Sequence, residues 1–383
     1  MAKVLLVDTN FASAPIYSVL KGFGYTVHVI GSNPHDTLAK SAEQYWNIDY
    51  SDTAALSDLI EKEAFDYLVP GCTDRSYKSC AIVSQGRFPG IESPDIENGM
   101  HNKEKFRAIA EKLNLPIPKT QNHNSKSLDY PVIIKPVDSF SGRGITVIKN
   151  HNKRLLDSAI KLARKNSATE EYLLEKFVSG ELYSHSAFLK NKRAIKNFFV
   201  KEDSTVNSFV VDTSRVIFSP PPEMQRQIIN AVEKLARYLR LKDGLIHSQF
   251  IWDGCNIYLI DRNRRIAGDL YSQLIELSTG HPYVENYVRP FLDMPYKNIE
   301  DSDTRIPIMR HTVSVSKEQN FNHISFKESL FLESWVALSS AGDRIKASPD
   351  GSVGILFARA KSQAELLTLY EATIRRQLYE VVD

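Results

Sequence analysis

The stretch YPVIIKPVDSFSGRGITVI, residues 130–148, places a lysine at the end of a β-branched run. Runs such as the one before Lys135 usually lie buried in a sheet, and Pro136 then ends the strand. The loop that follows is rich in serine and glycine, and its backbone N–H groups and hydroxyls suit phosphate oxygens. The alternative is a hairpin with a solvated tip, in which Lys135 extends its charged head into water. This stretch alone leaves both interpretations open, because glycine-rich loops are weak signals by themselves.

The composition is that of an ordinary soluble globular protein. The chain has 383 residues, enough for two or three domains, and 42% of them are apolar and 25% charged. A net charge of +2 gives no reason to expect a nucleic acid or an anionic membrane as a partner. The three cysteines lack metal or disulfide spacing, and the N-terminal MAKVLLVD is too short to be a signal peptide. No apolar run approaches the roughly 20 residues of a membrane helix, so a cytoplasmic protein is predicted.

The first part of the chain, residues 1–99, is predicted to be a parallel α/β domain. Short apolar strands at 4–7, 25–30 and 67–70 alternate with helical patterns, and such alternation is typical of a parallel sheet flanked by helices. No G-x-G-x-x-G motif follows the first strand, so the pattern does not indicate a dinucleotide-binding domain.

A candidate substrate site lies in the segment PGCTDRSY, residues 70–77. Ligands of open α/β sheets gather at the carboxyl ends of the strands, and this segment follows a strand. Asp74, Ser76 and Tyr77 are therefore candidate substrate contacts. The alternative is the start of a helix that Thr73 or Asp74 caps.

Beyond residue 100 helices and strands mix less regularly. The run 101–120 is predicted to be a helix ended by two prolines, and 222–239 a helix with one apolar stripe and prolines in its first turn. Residues 301–383 are predicted to form a small β-rich unit closed by a helix. The expected fold class is therefore α/β and α+β.

The segment GLIHSQFIWDGCNIYLIDRNRRIAGD, residues 244–269, is predicted to be a β-hairpin that turns at its Asp-Gly pair. Asp261 and Asn263 are two positions apart on the second strand, so their side chains point to one face. His247 and Gln249 share a face of the first strand for the same reason.

The length of the hairpin loop decides whether these polar side chains meet. A two-residue turn would put Gln249 and Asp261 on opposite sides of the sheet, whereas a three-residue loop over 252–254 puts all four on one face. A face with Gln249, Asp261 and Asn263 offers the oxygen ligands that Mg²⁺ prefers when phosphates complete its shell. The alternative is the solvent-exposed polar face of a two-sided sheet.

Taken in chain order, these motifs resemble those of the ATP-grasp superfamily. The order is Lys103, Lys135, the loop 138–144, EKFV at 175–178, GE at 180–181, Gln249 and DRNRR at 261–265. The resemblance runs from about residue 100 to 295. It implies an N-terminal parallel α/β (pre-ATP-grasp) domain at 1–99, a two-lobed ATP-grasp domain at 100–300 with a lid subdomain at about 116–178, and a small β-rich C-terminal subdomain at 301–383.

The resemblance implies an ATP site on both sides of the opening stretch. Lys103 and Lys135 match lysines that contact the α and β phosphates of ATP. Ser139, Ser141 and Gly142 match the lid loop. The matches to the segment that holds adenine are Glu175, Lys176 and Val178, and Glu181 matches the carboxylate that binds ribose.

The resemblance also implies a Mg²⁺ site, at which Mn²⁺ is expected to substitute. Asp261 and Asn263 match the ligands that join the metal to the β and γ phosphates, and Arg265 matches an arginine that stabilises charge on the reacting intermediate. Gln249 stands where the family normally has a carboxylate. This departure removes one negative charge, although an amide oxygen is still a usable ligand.

The implied activity is an ATP-dependent carboxylate–amine ligase that forms an amide or peptide bond through an acyl phosphate and releases ADP and phosphate. The front domain and the β-rich tail look most like amino-acid ligases and the carbamoyl-phosphate-synthase-like group. Alternatives are carboxylation through carboxyphosphate, as in biotin carboxylase, and a nucleotide-binding protein with reduced turnover. The expected partners are small carboxylates and amines, amino-acid-like in character, and a homodimer stays open.

The predicted substrate site has further candidates. Single histidines on strands are usually structural, and a loop aspartate usually lies at the surface. Arg262 and Arg264 alternate with Arg265 along the strand, so at least one of them should face away from the metal. The remaining candidate substrate contacts, in addition to Arg265, are His185, Asp212, Gly268 and Asp269.

Overall fold

The structure is a computed structural model that describes residues 2–125, 127–139, 142–300 and 304–383. Its N-terminal part is a four-stranded parallel sheet flanked by helices, as predicted. The strands run β3-β2-β1-β4 across the sheet. The elements are β1 (Lys3–Val7), α1 (Ala14–Gly22), β2 (Thr26–Ile30), α2 (Thr37–Ser41), β3 (Gln44–Trp46), α3 (Thr53–Glu63), β4 (Tyr67–Pro70), α4 (Asp74–Ser84) and α5 (Pro94–His101).

A small antiparallel lobe follows the helix α6, with strand order β6-β5-β7 and the helix α7 packed on it, whereas Phe106 and Ala110 of α6 pack against the large sheet. Val132 and Ile134 of its central strand are buried against Leu156 and Ala159 of α7, which explains the β-branched run before Lys135. The elements are α6 (Lys103–Lys112), β5 (Val132–Pro136), β6 (Thr146–Ile148), α7 (Lys153–Lys165) and β7 (Tyr172–Lys176).

A large antiparallel sheet forms the rest of the molecule. The elements up to residue 300 are β8 (Glu181–Lys190), β9 (Arg193–Asp203), β10 (Thr213–Val216), α8 (Pro222–Leu239), β11 (Gly244–Trp252), β12 (Ile257–Asn263), α9 (Tyr271–Thr279) and α10 (Tyr283–Val288). Those beyond it are β13 (Ile308–Val313), β14 (Gln319–Asn320), β15 (His323–Phe326), β16 (Phe331–Ala337), β17 (Arg344–Ile345), β18 (Gly354–Arg359), α11 (Gln363–Ile374) and β19 (Tyr379–Val382).

The eight strands of the large sheet run β12-β11-β8-β9-β10-β13-β18-β16. Three of them lie beyond residue 300, so the C-terminal part extends the same sheet. The predicted stripe of α8 is buried on this sheet through Ile228, Val232 and Leu235. The mixed α/β and α+β fold class predicted from the sequence is confirmed, and within the described ranges no helix is long and apolar enough to span a membrane.

The hairpin of β11 and β12 brings the predicted polar side chains to one face by a different route from the one expected. Trp252 pairs with Ile257, so the loop has four residues rather than three. A β-bulge after Gln249 then shifts the register by one residue, and Gln249 opposes Asp261. The shared face is therefore confirmed, whereas the predicted loop is wrong.

Candidate active site

Lys135 ends β5 inside the molecule. Its Nζ lies 2.6 Å from Glu175 Oε2, and Arg107 of α6 donates to the other oxygen of the same carboxylate. Burial lowers the pKa of Lys135 to about 8 in spite of Glu175. Burial alone would raise the pKa of Glu175, but the Lys135 and Arg107 cations hold it below its usual range. Lys135 is 7% exposed, so the alternative in which its charged head extends into water is excluded.

Lys103 begins α6 directly beneath the loop 138–144. Its Nζ donates to Ser139 O at 3.1 Å and to Val137 O at 3.4 Å. Burial lowers the pKa of Lys103, and the negative charge of Asp261 acts in the opposite direction. Lys103 therefore contacts the start of the loop, and the charge of Asp261 on the hairpin acts on it. Ser141, predicted to belong to this loop, lies outside the described residues.

Gly142 and Arg143 of the loop contact residues that lie beyond the small lobe in the chain. Gly142 has φ +69°, and a Cβ added there would lie 2.6 Å from Phe209 Cβ. Arg143 donates to Asp350 Oδ1 at 2.7 Å, which ties the loop to the C-terminal part of the chain. Ser139 Oγ donates to Arg143 O at 3.2 Å, within the loop itself.

The predicted adenine and ribose segment surrounds the end of β7. Lys176 donates to Asp129 Oδ1 and Tyr130 O, so its ammonium group is held by the small lobe. Val178 is half-buried. Glu181 is exposed and accepts a hydrogen bond from Tyr183 OH at 2.8 Å.

The hairpin face carries a set of oxygen atoms that fits a divalent cation. Asn263 Oδ1 is buried and has no hydrogen-bond partner among the described residues, and Asp261 lies on the same face. An amide oxygen in that state is a ready ligand for a hard cation. Within the described ranges no three His, Cys, Asp or Glu side chains cluster, so a cation here would rely on amide oxygens and on the phosphates of its nucleotide.

Gln249 of this face is not free. Its Nε2 donates to Glu202 Oε2 at 2.7 Å. Glu202 lies on β9, is 3% exposed, and was not among the predicted residues. Burial raises the pKa of Glu202 to about 7.

Arg265, directly after the hairpin, is held by the N-terminal domain. Its Nε donates to Asp74 Oδ1 at 2.6 Å. Burial opposes ionisation of Asp74, but Arg265 lowers its pKa to about 2. The predicted substrate contact Asp74 is thus an ion-pair partner of the predicted catalytic arginine.

The other two residues predicted in this segment have structural partners. Ser76 is fully buried and bonds to Val7 O, and the hydroxyl of Tyr77 accepts from Glu92 N. Thr73 caps α4 through Ser76 N. The structure therefore favours a helix start over substrate contacts for Ser76 and Tyr77, because both side chains are committed inside the domain.

Two more candidate substrate contacts, His185 and Asp212, are buried among structural partners. Burial lowers the pKa of His185 to about 4, and its Nε2 pairs with Asn197 Oδ1. Asp212 accepts from Thr205 N, Thr205 Oγ1 and Thr213 Oγ1, so its carboxylate is saturated. Asp212 is 4% exposed, which corrects the expectation that it lies at the surface.

Both alternating arginines turn away from the predicted metal ligands. Arg264 forms an ion pair with Glu92 at 3.1 Å. Arg262 is 1% exposed and stacks on the Phe106 ring at 3.3 Å from its centroid. None of its three side-chain nitrogens has a hydrogen-bond partner among the described residues. The expectation that at least one faces away is confirmed.

Arg310 of β13 is a site residue that the sequence reasoning missed. It is fully buried, and its Nη2 donates to Asp269 Oδ2 at 2.6 Å. Its Nε and Nη1 are buried and have no hydrogen-bond partner within the described ranges. Asp269, a predicted substrate residue, has φ +54°, and the Cβ position of its neighbour Gly268 is open. The sequence signal that could have identified Arg310 is a charged residue inside the buried strand IMRHTV, in the same way that Lys135 stands at the end of a buried strand.

The sequence and the fold were compared with known proteins. Residues 128–273 match the sequence profile of the ATP-grasp domain family. The chain is 19% identical over 327 residues to a carbamoyl phosphate synthase large chain from Methanospirillum hungatei, with 78% of this chain and 30% of that relative covered. The chain thus spans less than a third of the length of the curated relatives it matches.

Solved structures share the fold over almost the whole chain. The L-amino acid ligase from Bacillus licheniformis has a TM-score of 0.80 at 16% identity, with 100% of this chain and 99% of that chain covered. The biotin carboxylase domain of the Hydrogenobacter thermophilus 2-oxoglutarate carboxylase, in complex with MgADP, ADP and bicarbonate, has a TM-score of 0.75 at 16% identity, with 99% and 90% covered. The predicted two-lobed architecture behind a parallel α/β domain is therefore confirmed.

Proposed function

Because the chain contains an ATP-grasp domain, we propose that it is an ATP-dependent carboxylate–amine ligase. The observation that carries the proposal is the position of Lys103. Its ammonium group contacts Val137 O and Ser139 O, and the negative charge of Asp261 acts on it, so a cationic phosphate site would lie near the oxygen ligands of a metal. Phosphoryl transfer needs little beyond positioning and neutralisation of charge, which such a juxtaposition supplies.

In this proposal Lys103 and Lys135 hold the phosphates of ATP, and the loop 138–144 covers them. Gln249, Asp261 and Asn263 would hold Mg²⁺, or Mn²⁺ in its place. The metal would neutralise charge on the phosphates. Arg265, kept in place by Asp74, would face the reacting groups.

Arg310 supports a carboxylate as the substrate. Its buried positive charge is only partly paired, because Nη2 binds Asp269 and Thr312 while Nε and Nη1 have no hydrogen-bond partner among the described residues, and such a charge would attract an anionic substrate. A carboxylate oxygen would attack the γ phosphorus and release ADP. The nitrogen of an amine would then attack the acyl carbon, lose a proton and release phosphate. Small, amino-acid-like molecules are the proposed partners, in the cytoplasm.

Carboxylation through carboxyphosphate is the second candidate. A biotin carboxylase domain whose structure holds MgADP and bicarbonate has the same fold, and bicarbonate would present similar oxygens to Arg310. The third candidate is a nucleotide-binding protein with reduced turnover. It is motivated by Gln249, which stands where the family normally has a carboxylate ligand.

Phosphate release separates these candidates. The purified chain is incubated with ATP and Mg²⁺ and with single amino acids, pairs of amino acids, or bicarbonate. Release that requires a carboxylate and an amine supports the ligase, release with bicarbonate alone supports carboxylation, and ATP binding without release supports the third candidate. Lys135→Ala should abolish release, whereas Lys21→Ala, which removes an exposed ion pair with Glu43, should not.

A further inference from the structure

Gln249 replaces a carboxylate by a group with two unlike ends. The oxygen of an amide can bind a cation, whereas its NH₂ group is a donor and repels one. The direction of the amide therefore decides whether Gln249 adds a ligand to Asp261 and Asn263 or works against them.

The order of the strands defines two sides for this amide. Gln249 pairs with Asp261 of β12 on one side of its strand and with Ser184 of β8 on the other side. Glu202 lies one strand further on, on β9, and its side chain reaches the same face. The predicted metal ligands and Glu202 thus flank Gln249 from opposite sides.

Glu202 determines the direction of the Gln249 amide. The oxygens of a carboxylate accept hydrogen bonds, so Gln249 turns its Nε2 toward Glu202, at 2.7 Å. Ser184 Oγ, which is hydrogen-bonded to Tyr271 OH, acts to lower the pKa of Glu202. The Gln249 oxygen is the end of the amide that does not bind Glu202, and Asp261 and the unpartnered Asn263 Oδ1 belong to the strand on the other side of Gln249.

We propose that Glu202 is a positioning residue that directs the Gln249 amide oxygen toward Asp261 and Asn263 and so completes a three-oxygen cation site. The inference rests on the proposed function, because it assumes that the cation accompanies a nucleotide. Glu202 keeps a carboxylate on this face while the ligand itself is neutral. Partners that orient a metal ligand in this way generally have a large influence on metal affinity.

The test measures Mn²⁺ binding without turnover. Free Mn²⁺ is titrated by electron paramagnetic resonance in the presence of a non-hydrolysable ATP analogue. Glu202→Gln keeps the shape of the side chain but can donate as well as accept, so it no longer directs the amide. Its Mn²⁺ affinity should fall about tenfold.

An exchange of the two side chains supplies the decisive variant. In Glu202→Gln with Gln249→Glu the carboxylate stands at position 249, where either oxygen binds the cation, and Mn²⁺ affinity should return to within about twofold of the wild type. Glu276→Gln is the matched control, since Glu276 is a half-buried glutamate of α9 that accepts from Val284 N, and it should bind Mn²⁺ like the wild type.

The outcomes separate the inference from the function on which it rests. Unchanged Mn²⁺ affinity in Glu202→Gln, or no recovery in the exchanged protein, overturns the role of Glu202 while the proposed function stands. A wild-type protein that binds neither the analogue nor Mn²⁺ overturns both. A purely structural role would lower the melting temperature of Glu202→Gln without a specific loss of Mn²⁺ affinity, and that result also counts against the proposal.

Discussion

Arg265 Nε lies 2.6 Å from Asp74 Oδ1, so the first residue of α4 in the N-terminal domain holds the arginine that follows the hairpin. The two residues are 191 positions apart in the chain. The side chains are 13% and 25% exposed, which leaves the pair only partly screened by water. The N-terminal domain therefore contributes directly to the geometry of the candidate active site.

Loss of this ion pair should slow turnover more than it weakens nucleotide binding. In Asp74→Asn the neutral amide no longer fixes the Arg265 guanidinium, and misplacement of a catalytic group by about 1 Å can reduce rates about 100-fold. We expect a fall in kcat of about 10- to 100-fold, with little change in ATP affinity by calorimetry. Asp52→Asn is the control. Asp52 caps α3 outside the candidate site, the amide oxygen of asparagine can still cap this helix, and the variant should retain full activity. Full activity in Asp74→Asn would show that the pair is only structural.

ATP affinity should fall as the pH rises above about 8. Burial lowers the pKa of Lys135 to about 8, so its ammonium group loses its proton in the free protein through that range. Bound phosphates favour the charged form, so binding above the pKa requires uptake of a proton and weakens by up to about tenfold per pH unit. Calorimetric titration with an ATP analogue from pH 7 to 9.5 measures the slope. Lys135→Arg keeps its charge and should flatten it; equal slopes in the two proteins would exclude Lys135 as the cause.

Arg262→Met should stabilise the protein. The buried guanidinium stacks on Phe106, its nitrogens have no hydrogen-bond partner among the described residues, and burial holds its pKa well below the usual value. Replacing such a charge by an apolar side chain of similar volume should raise the free energy of unfolding by about 1–3 kcal/mol, measured by urea denaturation.

Arg264→Met provides the contrast to this variant. Arg264 is equally buried but is paired with Glu92 at 3.1 Å, so its loss should lower the free energy of unfolding by about 3–5 kcal/mol. If both substitutions destabilise the protein, Arg262 has a stabilising partner, and the interpretation of its burial is wrong.

Gly142→Ala should weaken ATP binding by disturbing the closed loop. A methyl group there meets Phe209 at 2.6 Å, and the left-handed φ of +69° adds strain of about 1 kcal/mol. Gly86→Ala is a matched control, because φ is +80° and the added Cβ meets no atom within 4 Å. Both should lose stability, but only Gly142→Ala should lose ATP affinity. An equal loss of affinity in both, measured by calorimetry, would remove the loop from the nucleotide site.

Local sequence patterns were sufficient to predict the direction of a side chain wherever that direction follows from its position in a strand or helix. Alternation along β12 placed Asp261 and Asn263 on one face and turned Arg262 and Arg264 to the other, and the structure agrees. The β-branched run likewise indicated the buried strand that ends at Lys135. These features depend on the periodicity of the backbone, which is written into neighbouring residues.

The partners of these side chains were decided only by the tertiary structure. Glu202 and Gln249 are 47 positions apart, and Asp269 and Arg310 are 41 apart, so their contacts depend on the order of strands in the large sheet. The β-bulge after Gln249 is a further example, because it lies inside the paired strands and not in the loop of the hairpin. Periodicity tells which way a side chain points, but which distant residue it meets depends on the packing of elements that are remote in sequence.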